Sequence, residues 1–110
     1  MIITQEENTS IITQEKATVI ELVKKLEALY PKFENHNIVI KMSSLRKITS
    51  QDIIEFLRLS KKHHAAKHSF VVVTDTINAN DTSDEIIVVP SLQEAFDIIE
   101  MEVMERDLGF

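Results

Sequence analysis

The chain has 110 residues, 44% hydrophobic and 27% charged, with 18 acidic against 12 basic side chains and a formal charge of −6. That suits one domain with a single core, and its acidity opposes both the phosphate backbone of nucleic acids and anionic membrane surfaces. Cysteine is absent and Gly109 is the only glycine, which excludes thiolate catalysis, zinc held on sulfur and glycine-cradled phosphate loops.

IITQEE at residues 2–7 is echoed by IITQEK at 11–16. The two β-branched runs, placed around Glu7-Asn8-Thr9-Ser10, read as a β-hairpin. MIITQEEN has neither the basic start nor the apolar stretch of a secretory signal. No apolar run approaches the ~20 residues of a membrane span, so a cytoplasmic protein is expected. In ATVIELVKKLEALYPKF, residues Val19, Leu22, Val23, Leu26, Leu29 and Tyr30 share one helical side, opposite Glu21, Lys24, Lys25 and Glu27. Pro31 limits that helix, because the residue before a proline resists the α region.

NIVIKM (37–42) reads as a buried strand. Residues 50–66 follow as a second helix, with Ile53, Phe56, Leu57, Ser60 and His64 on the inner face. Lys61, Lys62 and Lys67 lie towards its negative end. SFVVVTD (69–75) reads as the central strand, TINANDTSDE (76–85) as a polar loop, and EIIVVP as a short strand ended by Pro90. Ser91 and Glu94 form a capping-box pattern ahead of the last helix. The expected architecture is α/β, a single domain over 1–110, in the order β-β-α-β-α-β-β-α, with right-handed crossovers in a mixed sheet.

The strand NIVIKMSSL, the turn KITS, the helix QDIIEFLRLSKKH and the strand SFVVVTD resemble the core of STAS domains. These form bacterial anti-sigma-factor antagonists and the cytoplasmic tails of sulfate transporters. The hairpin, the first helix, the strand VVP and the last helix fall in that family's order, so the resemblance implies a STAS-like mixed sheet with an N-terminal β-hairpin and helices packed on it. It also implies a non-enzymatic regulatory module, without cofactor, that binds a kinase-like or anti-sigma-like protein. In signalling members the turn reads Asp-Ser-Ser/Thr-Gly, and its first Ser is phosphorylated. Ser50 matches that Ser, while Thr49, Gln51 and Asp52 replace its neighbours, which makes the phosphoswitch a degenerate one. The tail VVPSLQEAFDIIEMEVMERDLGF resembles that of short Bacteroidetes proteins labelled ribonuclease Z. That enzyme's zinc motif HxHxDH has no counterpart here, so the implied alternative is an accessory partner of such a hydrolase, with no metal site of its own.

Thr49 and Ser50 are both good helix caps, and Thr49 with Asp52 has capping-box spacing. A further alternative makes the Thr49–Ser50 turn a site for a small anion or nucleotide. His64 and His68, four apart, have ligand-like spacing but no third ligand, inside a cationic KKHHAAKH run that disfavours a metal ion. The carboxylates of 76–85 and of EMEVMERD read as solvated surface, and Arg106 among them is expected to pair locally. On the last helix Leu92, Ala95, Phe96, Ile99 and Val103 make the core stripe. Met101, Met104 and Leu108 form a second apolar set, a candidate surface for a partner protein or a homodimer.

Overall fold

The computed structural model describes residues 1–14, 18–42, 48–76 and 85–109. The segments 15–17, with the end of the second IITQE run, 43–47 and 77–84, with most of the expected acidic loop, and Phe110 lie outside the described residues. Five strands make one sheet: β1 (Ile2–Glu6), β2 (Thr9–Gln14), β3 (Asn37–Met42), β4 (Phe70–Val73) and β5 (Ile87–Val89). Their spatial order is their chain order. β1 pairs antiparallel with β2, and every later pair is parallel.

The α/β class and the mixed sheet thus agree with the sequence reading. The hairpin differs in one detail: its loop is only Glu7-Asn8, so Thr9 and Ser10 already belong to β2. Glu7 holds a positive φ of 51° to close it, a conformation that two-residue hairpin loops require of a central residue.

Side chains alternate across the pleat, and the two faces bury separate cores. One carries Ile12, Ile38, Ile40, Met42, Phe70, Val72 and Val88. Against it pack α1 (Val19–Leu29), α2 (Ser50–Ile54) and α3 (Leu57–Ala65). The other face carries Ile11, Val39, Val71 and Val73 beneath a single helix, α4 (Leu92–Asp107). Among the described residues, no helix is long and apolar enough to cross a membrane.

α1 starts on Thr18, whose hydroxyl accepts from the Glu21 N–H at 3.1 Å. It stops at Leu29 and tightens into a 3-10 turn, Tyr30–Lys32, which contains Pro31. The expected second helix is broken. Glu55 and Phe56 bond to carbonyls three residues back, at Asp52 and Ile53. Three-residue bonding winds the chain through roughly 120° per residue instead of 100°. The extra rotation moves the buried stripe to Ile53, Phe56, Leu59, Ser60 and His63. Leu57 and His64, expected inside, are only half-buried.

α3 ends in a Schellman motif. The His68 N–H bonds to the His63 carbonyl and the Lys67 N–H to that of His64. Lys67 has φ 66° in the position that glycine usually fills.

Candidate functional site

The parallel strands have two ends, and polar side chains gather at both. Ligands of open α/β sheets are bound outside the carboxyl ends, and there the chain enters α2. Thr49 is the N-cap. Its Oγ1 accepts from the Asp52 N–H at 3.2 Å, and Asp52 Oδ2 accepts from the Thr49 N–H at 3.0 Å. The expected capping box is therefore complete. It is anchored to the end of β4: the Ile48 N–H donates to Thr76 Oγ1 at 3.3 Å, and Thr76 Oγ1 lies 3.0 Å from Thr74 Oγ1.

Ser50 is thus the first helical residue and not the cap. It is half-buried, and its hydroxyl makes no hydrogen bond among the described residues. Gln51 is exposed and Asp52 half-buried. The box already occupies two of the backbone donors that an anion would use, and it fixes a carboxylate in the same turn. Two large apolar side chains, Ile54 on α2 and Ile20 in the first turn of α1, are exposed at this end of the sheet.

A denser network closes the amino ends. His63 is fully buried. Its Nε2–H donates to the His36 carbonyl at 2.6 Å, so its Nδ1 accepts from the Tyr30 hydroxyl at 2.7 Å. Burial holds the imidazole neutral, with its pKa lowered to about 4, against the opposing pull of the His36 carbonyl. The His68 ring lies 5.3 Å from that of His63, and its pKa is also lowered, first by burial and then by Arg106. Ser10 Oγ and His36 Nδ1 are 3.0 Å apart. Lys62 sits 4.4 Å over the Tyr30 ring, a cation–π contact.

The local pairing expected of Arg106 with its acidic neighbours is not formed among the described residues. Arg106 instead reaches the sheet, donating to Ser69 Oγ at 3.3 Å and to Asn37 Oδ1 at 3.4 Å. Asn37 Oδ1 also accepts from the Ser69 N–H at 2.9 Å. The network therefore ties β3, β4 and α4 together at one end. Its central imidazole is sealed and too weakly basic to take a proton near neutral pH. Among the described residues, no three His, Asp or Glu side chains converge to hold a metal ion. The His64–His68 pairing is replaced by His63 with His68.

Of the residues singled out in the sequence, Thr49, Ser50, Gln51 and Asp52 gather in one turn at the carboxyl end. Met101 and Met104 lie on the second half of α4 and Leu108 caps its end, at 51%, 59% and 69% exposure, towards the amino end. The fold does not join the two sets. The sequence does not show that His63, Tyr30, Asn37 and Ser69 form one network: Tyr30 reads only as part of the first helix's apolar side, and His63 only as part of the cationic KKHHAAKH run. The available signal was the spacing Phe56–Ser60–His63, which continues the inner stripe by one turn. No protein-family profile matches the chain, and no curated protein matches it.

Proposed function

We propose that this chain is a non-catalytic, STAS-type interaction module that recognises another protein through the Thr49–Asp52 turn and the flanking starts of α1 and α2. The observation that carries this reading is the closed capping box. It fixes Ser50 and Gln51 in a closed turn outside the carboxyl ends of the strands, where α2, which carries the exposed Ile54, begins, and where α1, with the exposed Ile20 in its first turn, also begins. Rigid turns bordered by exposed apolar side chains suit protein recognition, where aliphatic anchors supply affinity and polar groups set register. The Asp52 carboxylate already sits in the turn that a phosphate on Ser50 would enter. Docking therefore does not depend on phosphorylation, and an anti-sigma-like partner is bound constitutively.

The test places a photoreactive amino acid at Gln51 in one tagged chain and at Lys32, at the far end of the 3-10 turn, in another. Both are expressed in the native cells, and adducts are identified by mass spectrometry together with the state of Ser50. A protein adduct from Gln51 and none from Lys32, with Ser50 unmodified, is the expected result. Adducts confined to Lys32, or nuclease activity of the isolated chain, would overturn the reading.

A further inference from the structure

On the face covered by α4, the helix and the tip of the β1–β2 hairpin leave a groove of about 740 Å³ between them. Phe96, Ile99 and Val103 line its apolar part, with the exposed Met104 at its edge. Carboxylates stand on both banks, Glu6 and Glu7 on the hairpin and Glu100 on the helix, and no lysine or arginine is among the lining residues. Arg106, further along α4, is not among the lining residues; its guanidinium is engaged by Ser69 and by Asn37, a polar residue of the lining.

We infer that this groove seats a cationic amphipathic helix of a partner protein, with its apolar stripe on Phe96, Ile99 and Val103 and its lysines or arginines meeting the carboxylates on both banks. The lining positions 96, 99/100 and 103/104 repeat at helical spacing along roughly 12 Å of axis. Two to three turns of a partner helix with anchors at i, i+4 and i+7 match that length. Charge selects the occupant. A second copy of this chain would bring a net charge of −6 and an α4 bearing six acidic residues against one arginine, so it is repelled. Like-charge juxtaposition is what suppresses wrong partners at such surfaces. Nucleic acid and anionic lipid are repelled for the same reason. This surface lies away from the Thr49–Asp52 turn and stands independently of the function proposed for it.

The experiment titrates the intact chain with a fluorescent leucine–lysine amphipathic helical peptide of about 14 residues, close to four turns. A leucine–glutamate peptide of the same pattern is the control. Binding of the lysine peptide alone is expected, with methyl NMR shifts concentrated at Ile99, Val103 and Met104 of the unaltered protein. A Glu6→Gln, Glu7→Gln, Glu100→Gln variant should bind about tenfold more weakly, as three rim carboxylates warrant. A Glu21→Gln, Glu27→Gln, Glu55→Gln variant, which removes equal charge from elsewhere, should stay within about twofold of the unaltered chain. Equal weakening by both variants, shifts mapping outside the groove, equal binding of the glutamate peptide, no binding, or a homodimer that covers Val103 would each overturn the proposal.

Discussion

Lys67 and Glu7 hold φ at 66° and 51°, angles at which a β-carbon is unwelcome. Replacing Lys67 by glycine at the end of α3 should raise stability by about 0.5–1 kcal/mol, read as a higher urea midpoint with unchanged slope. A lower midpoint would mean that the lysine side chain contributes more than its backbone angle costs. His63 makes the opposite kind of demand. Its pKa is lowered from 6.5 to about 4 by burial. Below pH 6.5 the unfolded chain takes up a proton that the folded chain refuses until about pH 4. The contribution is therefore fully present above pH 6.5 and is lost as pH falls through that window. The ceiling set by the shift is roughly 3 kcal/mol, and about 2 is expected once the acid form relaxes towards solvent. His68, lowered in the same direction, adds to the loss. Urea midpoints at pH 7 and pH 4.5 should differ strongly for the unaltered chain and much less for His63→Gln. Equal pH dependence in both would remove His63 from the account. None of this was legible in the histidine spacing, because a slight overwinding at Glu55–Phe56 decides whether residue 63 or residue 64 faces the core.

At the scale of elements, the capping box separates two hydroxyls that are adjacent in sequence. Thr49→Ala removes the acceptor for the Asp52 N–H and should cost about 1 kcal/mol. Ser50→Ala removes no hydrogen bond among the described residues and should change stability by less than about 0.5 kcal/mol. Equilibrium unfolding of both variants decides the matter, and a larger loss from Ser50→Ala would reassign the cap. The box was visible in sequence because its chemistry is local, four residues reading one another. Ser91 and Glu94 show the limit of such patterns. The Ser91 hydroxyl accepts from the Glu94 N–H, but the Glu94 carboxylate accepts from that same hydroxyl at 3.1 Å instead of reaching the backbone. The repeated IITQ tetrapeptide shows a larger one. In β2 it is almost wholly buried, while in β1 all of it is exposed. Identical local propensity met a central position once and an edge once, and nothing within four residues encodes which.

At the scale of the molecule, the α/β class and the mixed sheet followed from the alternation of strands with helices, whereas the spatial strand order and the division of helices between the two faces were not read from it. Nor was the amino-end network, because Asn37, Ser69 and Arg106 come from three distant segments. The two polar ends share no hydrogen-bond partner among the described residues. Losses from Thr49→Ala at one end and Arg106→Met at the other should accordingly add to within about 0.5 kcal/mol in the double variant. A larger deviation would show that strain passes along β3 and β4 from one end to the other.

β1 buries no side chain, yet it pairs with β2 along its whole length. Its worth lies in the backbone groups it occupies. Without it, Thr9–Gln14 would present an open row of donors and acceptors beside Ile11 and Ile12, a template for any passing extended chain. The hairpin closes through a two-residue loop, on a timescale of roughly 1–10 μs, whereas each parallel pairing must first gather a helix or a long connection. The vulnerable strand is thus sheathed before the slower crossovers complete the sheet. The N-terminal octet acts as a guard on the folding chain, and shortening it is expected to trade little stability for a marked tendency to form insoluble aggregates.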